Sequence, residues 1–151
     1  MSVEVVNRQR RLTLPVARLA RAAQRALDAL GRPAGDVDVA IVDDVKIRAL
    51  NSAHRGVRRR TDVLAFPLEI AGAASGLFGQ VVISADTALR QAQRVGIPVA
   101  LELELLVTHG VLHLAGYDDR DPVEADLMHR RERALLGTDV PARLWKGLLP
   151  I

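Results

Sequence analysis

Two histidines four residues apart are the side chains of this sequence best placed to do chemistry. His109 and His113 lie in the segment THGVLHLAGYDD, where the pattern of apolar residues predicts a helix. Four residues of helix put both imidazoles on one face, roughly 6 Å apart along the axis. Two imidazoles so placed can share one tetrahedral metal ion, so the pair is a candidate metal site.

A third ligand could come from the residues just after this helix. Gly116 permits a sharp reversal of the chain, so Asp118 and Asp119 can return towards the two histidines. With a water in the fourth position, the site would be of the open, catalytic type. Histidines at this spacing also occur as a polar pair or as a satisfied core contact. The leucines that flank His113 favour a metal, because two buried imidazoles need partners.

The elements that position these residues follow from apolar periodicity and from capping residues. We predict strands at 3–6, 37–42, 61–66 and 80–83, and helices at 15–29, 43–50, 84–96, 98–115 and 121–136. The start of the last helix is the clearest, since Asp121 can cap it, Pro122 suits its first position and Glu124 its third. The order β-α-β-α-β-β-α-α-α predicts an α+β fold, with a small four-stranded sheet, about five helices and the 98–115 helix as its central buried element. These patterns do not predict the strand order.

Length and composition limit the class of protein. With 151 residues, 49% of them hydrophobic, the chain is expected to form a single domain, residues 1–151, with one sizeable core. Cysteine is absent, so a metal must be held by His, Asp or Glu, and a reducing compartment is expected. The sequence shows neither a signal-peptide pattern nor the ~18 consecutive apolar residues of a membrane span. We therefore expect a cytoplasmic protein with no membrane partner.

The charge gives only weak guidance on partners. The net charge is +3, and among 21 basic residues only Lys46 and Lys146 are lysines. The guanidinium of arginine can bind a phosphate through two hydrogen bonds, which lysine cannot do, so this preference hints at a nucleic acid. A GC-rich genome gives the same composition, so the charge by itself leaves the partner open.

The histidine segment also carries a resemblance to a known family. HGVLHLAGYDD closely resembles HGxLHLxGYDH, the hallmark of the YbeY family of metal-dependent endoribonucleases, which act in ribosomal RNA maturation. Upstream, Asn51, His54-Arg55-Gly56 and the TDVLAFP of residues 61–67 are similar to that family's N…RG…T(N/D)VLSFP stretch. Residues 79–84 resemble its strand before a serine-capped helix, and the last helix carries its E…M…E pattern at Glu124, Met128 and Glu132. The resemblance covers most of the chain.

This resemblance implies a function and a set of site residues. It implies one zinc ion, with other divalent metals open, held by His109 and His113, and an essential arginine at Arg55. The expected reaction is cleavage of single-stranded RNA, in which zinc-activated water attacks a phosphodiester and Arg55 neutralises the non-bridging oxygens. Arg55 and His113 are the expected catalytic residues. The expected partners are ribosomal RNA and the small ribosomal subunit, in rRNA maturation and quality control, and the expected fold is zincin-like. The oligomeric state stays open.

Two positions depart from the family pattern. Asp119 stands where the family has its third metal-binding histidine, so we expect a His-His-Asp site. That site is less positive by one charge than a three-histidine site, so its bound water should be slightly less acidic. Asp118 matches a family aspartate and is expected to be structural, but Asp118 or, more remotely, His129 stays an alternative third ligand. Gln80 stands where the family usually has an aspartate after glycine, and its effect is left open.

The remaining candidates are weaker. Three arginines in the turn after Arg55 could bind an RNA backbone, or could simply be solvated: Arg58, Arg59 and Arg60. We expect Trp145 to pack against the body of the protein rather than bind RNA, and His129 to be exposed. Glu102 and Glu104 favourably meet the dipole of their helix, and neither is assigned as a catalytic base.

Two other functions stay open. A zinc peptidase would share the two-histidine helix, but such enzymes carry a glutamate general base beside the first histidine, where this chain has Gly110. A catalytically weak, ribosome-associated RNA-binding factor would use the metal structurally and bind RNA through Arg55 and the basic turn. Asp119 and Gln80 make this alternative harder to dismiss than in a typical family member. Salt-sensitive RNA binding without turnover would identify it.

Overall fold

The computed structural model describes residues 2–32, 35–53, 63–67, 78–137 and 139–147. Within these ranges the chain forms four strands and five α-helices, in the order expected from the sequence: β1 Ser2–Asn7, α1 Val16–Ala29, β2 Asp36–Val42, α2 Asp44–Ala53, β3 Val63–Pro67, β4 Phe78–Ser84, α3 Ala85–Val95, α4 Val99–Leu114 and α5 Pro122–Leu136. A short 3₁₀ helix, Ala142–Gly147, follows and was not predicted. The fold class is α+β, as expected.

The strands form one mixed sheet in the order β1-β2-β4-β3. The first three of these are parallel, with Val5 opposite Val39 and Val39 opposite Val81, while β3 pairs antiparallel with β4 at the edge. Side chains alternate between the two faces of the sheet. The main core takes one face of β2 and β4, and a smaller cluster beneath α2 takes the other. Because both faces are covered, these strands read as continuous apolar runs.

The predicted capping residues start their helices as expected. Ser84 Oγ accepts a hydrogen bond from the backbone N–H of Thr87 at 3.2 Å, and Asp121 Oδ1 accepts one from Glu124 at 2.9 Å. Asp43 Oδ1 accepts from the N–H of Lys46 at 2.8 Å. Each bond satisfies a backbone donor that a helix leaves unpaired in its first turn.

Helix α4 is the central element of the fold. Residues 102–112 are all buried, and the helix packs against α1, α3, α5, β3 and β4. Gly110 is what lets it lie directly on β4, because a Cβ at this position would overlap the side chain of Val81. Among the described residues, no single helix has the length and apolar character to span a membrane, although α3 and α4 together, bent by 119°, meet both measures.

Candidate metal centre

Helix α4 brings together on one face the two histidines that are candidate metal ligands. The Nε2 atoms of His109 and His113 lie 3.0 Å apart, and the two rings meet edge to face with centroids 4.5 Å apart. The imidazole of His109 is completely buried, and that of His113 is only 4% exposed. Both imidazoles therefore lie within the protein and are almost entirely shielded from solvent.

The turn after α4 returns a carboxylate to the same point. Gly116 has a φ of 100°, a left-handed conformation that favours glycine, and the N–H of Tyr117 donates back to the carbonyl of Leu112 at 3.1 Å. The chain then places Asp119 Oδ2 3.5 Å from His109 Nε2, and its Oδ1 4.0 Å from His113 Nε2. Among the described residues, His109, His113 and Asp119 form a group whose potential ligand atoms all lie within 4.8 Å of one another.

Asp118 is used in shaping this turn. Its Oδ1 accepts hydrogen bonds from the backbone N–H groups of Asp119 at 2.7 Å and of Arg120 at 3.1 Å, and its Oδ2 lies 3.4 Å from Arg120 Nε. A carboxylate that bonds the next two backbone N–H groups fixes a turn locally. Asp118 therefore directs Asp119 towards the histidines, in agreement with the structural role expected for it.

His129 does not join this group and differs from its expectation. The sequence predicts an exposed residue, but His129 is half-buried and its Nε2 is shielded from solvent. The reason is that α5 packs against both α1 and α4, which covers part of the helix face that carries His129.

The hydrogen bonds on the far sides of the two rings determine where their protons lie. His113 Nδ1 lies 2.9 Å from the backbone carbonyl oxygen of Tyr117, which can only accept, so Nδ1 carries the hydrogen. His109 Nδ1 lies 2.6 Å from Oε2 of Glu132, a carboxylate that also accepts. A neutral ring with its hydrogen on Nδ1 presents the Nε2 lone pair, and the two Nε2 atoms face each other at 3.0 Å. Two facing lone pairs with a carboxylate beside them repel one another unless a cation lies between, so the donor set fits a metal ion.

Glu132 belongs to the E…M…E pattern of the last helix, which by itself predicts no role for it. It is fully buried, its Oε2 accepts from His109, and its Oε1 accepts from the indole N–H of Trp145 at 3.0 Å. The signal in the sequence is its position four residues after Met128, which puts both side chains on one face of α5, and the structure buries both. Trp145 packs against the body of the protein, as expected.

The acidic residues near the start of α4 have a different role. Both Glu102 and Glu104 are buried, and Glu104 Oε1 lies 3.0 Å from Arg18 Nε and 3.6 Å from a terminal nitrogen of Arg25. The hydrogen bond to Glu104 raises the pKa of Arg18 above its ordinary value. These contacts join α1 to α4, so Glu104 holds in place the helix that carries His109 and His113, and is not a candidate base.

The arginines expected at the site lie outside the described residues: Arg55, Arg58, Arg59 and Arg60, together with His54 and Asp62. They belong to the connection between the end of α2 and the start of β3. Gln80, the second departure from the family pattern, is exposed on β4, where it pairs with Asp38 on one side and Phe66 on the other. Nothing in the structure explains this substitution.

Comparison with known proteins gives one consistent result. The family model described as Endoribonuclease YbeY matches residues 4–138. A protein of that name from Anaeromyxobacter sp. strain Fw109-5 is 41% identical over 135 residues, which are 89% of this chain and 70% of the relative. Another, from Geobacter metallireducens, is 37% identical over 140 residues, covering 89% of this chain and 93% of the relative. A solution structure of a Thermotoga maritima protein shares the fold, with a TM-score of 0.60 at 22% identity, covering 96% of this chain and 90% of the other.

Proposed function

The chain belongs to the YbeY endoribonuclease family, and on that premise we propose that it is a metal-dependent endoribonuclease that processes ribosomal RNA. The observation that carries the metal dependence is the convergence of three donors. The Nε2 atoms of His109 and His113 face each other at 3.0 Å, with the carboxylate of Asp119 beside them. Both Nδ1 atoms are engaged elsewhere, which leaves the Nε2 lone pairs for a cation.

The proposed roles follow from the donor types. His109, His113 and Asp119 would hold one ion, and two nitrogens with one carboxylate oxygen suit zinc, although other divalent metals accept the same ligands. Bound there, the ion would supply Lewis acidity and an activated water for attack on a phosphodiester. Glu132 and the carbonyl of Tyr117 would fix the tautomer and the orientation of both rings, with the hydrogen on Nδ1. Arg55 would neutralise the non-bridging oxygens, and the basic turn Arg58–Arg60 would hold the RNA backbone.

The finer parts of the proposal rest on the family. We propose single-stranded RNA as the substrate, the small ribosomal subunit as the partner, the cytoplasm as the location and one domain spanning residues 1–151. We also propose that the centre is zincin-like, since one helix supplies both histidines four residues apart.

The peptidase alternative conflicts with the packing of α4. Zinc peptidases of this type need a glutamate directly after the first histidine. Here that position is Gly110, and even a Cβ would overlap the side chain of Val81. A glutamate general base has no room at this position, which counts against the peptidase alternative. The RNA-binding alternative has no such conflict and is decided by experiment.

The test compares metal content with RNA cleavage in matched variants. Elemental mass spectrometry should find near-stoichiometric zinc in the wild type purified without chelator, and little in Asp119→Ala. Asp126→Ala is the control, because it removes an exposed carboxylate that pairs only with Arg130 on the same helix among the described contacts. Cleavage of single-stranded RNA should follow the metal content. Metal with tight, salt-sensitive RNA binding but no turnover would replace the enzyme with an RNA-binding factor.

A further inference from the structure

We propose that Trp145 is a positioning residue of the metal centre, a role that rests on the proposed function. Its indole N–H donates to Glu132 Oε1 at 3.0 Å, and Glu132 Oε2 lies 2.6 Å from His109 Nδ1. Glu132 and His109 are fully buried, and Trp145 is only 8% exposed. A continuous hydrogen-bonded chain therefore runs from the 3₁₀ helix, through α5, to a metal-ligating ring on α4.

The hydrogen bonds to Trp145 and His109 fix the plane of the Glu132 carboxylate. Each oxygen accepts from a donor on a different element, so rotation of the carboxylate would break both bonds. Charge-assisted hydrogen bonds of this kind are strong where water is excluded. Without the indole N–H, the buried carboxylate loses one of the donors that fix its plane, so its orientation towards His109 is less constrained. The orientation of the His109 ring then depends on fewer contacts.

The position of Trp145 is itself determined by packing. The guanidinium carbon of Arg133 lies 4.8 Å from the centre of the indole ring, a cation–π distance. The adjacent Leu144 is completely buried, and Arg143 donates to the carbonyl oxygens of Val95 at 3.0 Å and Gly96 at 3.1 Å. These contacts anchor the 3₁₀ helix to the end of α3. Trp145 lies beyond residues 4–138 that the family model matches, so this contribution comes from a segment outside the matched part.

The first test measures zinc affinity directly. Trp145→Phe keeps an aromatic ring but removes the N–H, and should weaken zinc binding about 10-fold, the lower end of the usual effect of an outer hydrogen-bond partner. Competition with a chromophoric chelator measures this without reference to activity. Val140→Ala is the control, because it removes a partly buried contact from the same C-terminal segment and leaves the hydrogen-bonded chain intact. It should lower the thermal stability but not the zinc affinity.

In the second test, Trp145→Phe should weaken zinc binding in the wild-type background but strengthen it in the Glu132→Gln background. A merely structural role of Trp145 would not reverse the effect in this way. In Glu132→Gln, the Trp145 N–H should draw the introduced amide oxygen to itself, so the amide NH₂ faces His109. The amide NH₂ and the N–H of His109 Nδ1 would then face each other as two donors. Alternatively, His109 moves its proton to Nε2, and that atom loses the lone pair that would bind the metal. Adding Trp145→Phe should release the amide to flip, present its oxygen to His109 and recover part of the zinc affinity.

The outcomes separate this proposal from the proposed function. Weaker binding from Trp145→Phe in the wild-type background, with recovery in the Glu132→Gln background, supports the positioning role. Equal losses in both backgrounds, or no loss in either, overturn it while leaving the metal centre intact. A wild-type protein that binds no zinc overturns both. Because Trp145 is the only tryptophan of the chain, its emission should also change on zinc binding, and this response should be lost in Glu132→Gln.

Discussion

Gly110 offers the most direct test of how the fold sets the position of the proposed metal centre. Replacing it with alanine adds one methyl group next to His109. That Cβ would overlap Val81 Cγ1 and lie 3.0 Å from its Cγ2 and 3.3 Å from its Cβ. Val81 is fully buried in the centre of the sheet, so it has little room to turn. We expect α4 to move away from β4, and His109 to move with it.

The size of the effect can be worked from the packing. Overpacking a core typically destabilises a protein by about 1–3 kcal/mol. Part of this loss is offset because alanine stabilises a helix by ~1 kcal/mol relative to glycine. Gly110→Ala should therefore lose up to about 2 kcal/mol. Val81→Ala removes two buried methyl-sized groups and should lose about 2–3 kcal/mol including the cavity. In the double variant the new methyl fills the vacated space, so it should be about 1–3 kcal/mol more stable than the sum of the two losses.

Urea unfolding of the four proteins measures these losses, with zinc affinity measured in parallel. Gly110→Ala should weaken zinc binding, and the double variant should recover it, because the separation of α4 and β4 is restored. Losses that simply add, or a Gly110→Ala protein with unchanged zinc affinity, would refute the argument that this close approach positions His109.

Three further predictions follow from the same structure. His113→Ala should abolish RNA cleavage but retain salt-sensitive RNA binding, measured by filter binding at several salt concentrations; undiminished cleavage by a metal-free variant would contradict the mechanism. Asp119→His should keep near-stoichiometric zinc and shift the pH profile of cleavage to lower pH, because a neutral imidazole leaves the site more positive by one charge; an unchanged profile would count against Asp119 as a ligand. Burial tends to raise the pKa of Asp44, but hydrogen bonds from Ser84, Thr87 and Arg90 outweigh it and lower that pKa. Ionised Asp44 therefore stabilises the fold above about pH 4, and this stabilisation is lost as the pH falls through the lowered pKa. In Asp44→Asn, the stability should depend less steeply on acidic pH, as measured by acid unfolding followed by circular dichroism. Parallel pH dependences in wild type and variant would exclude the contribution.

The sequence by itself determined the parts of this protein that depend on neighbours along the chain. The order of the elements and the capping roles of Ser84, Asp43 and Asp121 could all be predicted, because each depends on contacts within three or four residues. The pairing of His109 with His113 is local in the same sense, since helix geometry brings residues four apart onto one face. For the third ligand, the sequence placed Asp118 and Asp119 in the turn after this helix, with His129 as a remoter alternative.

Tertiary structure decided the rest. The strand order β1-β2-β4-β3 has no local signature, because it depends on which apolar faces pack together. Asp119 became the third donor of the group because Asp118 is engaged by the turn's own backbone. Glu132 reaches His109 across 23 residues of sequence, and Trp145 reaches Glu132 across a further 13. Periodic patterns in the sequence do not predict such contacts, because they form only when separate elements pack into one core. The aspartates in the turn after α4 could therefore be predicted as candidate ligands. Glu132 and Trp145, which hold His109 in place, could not.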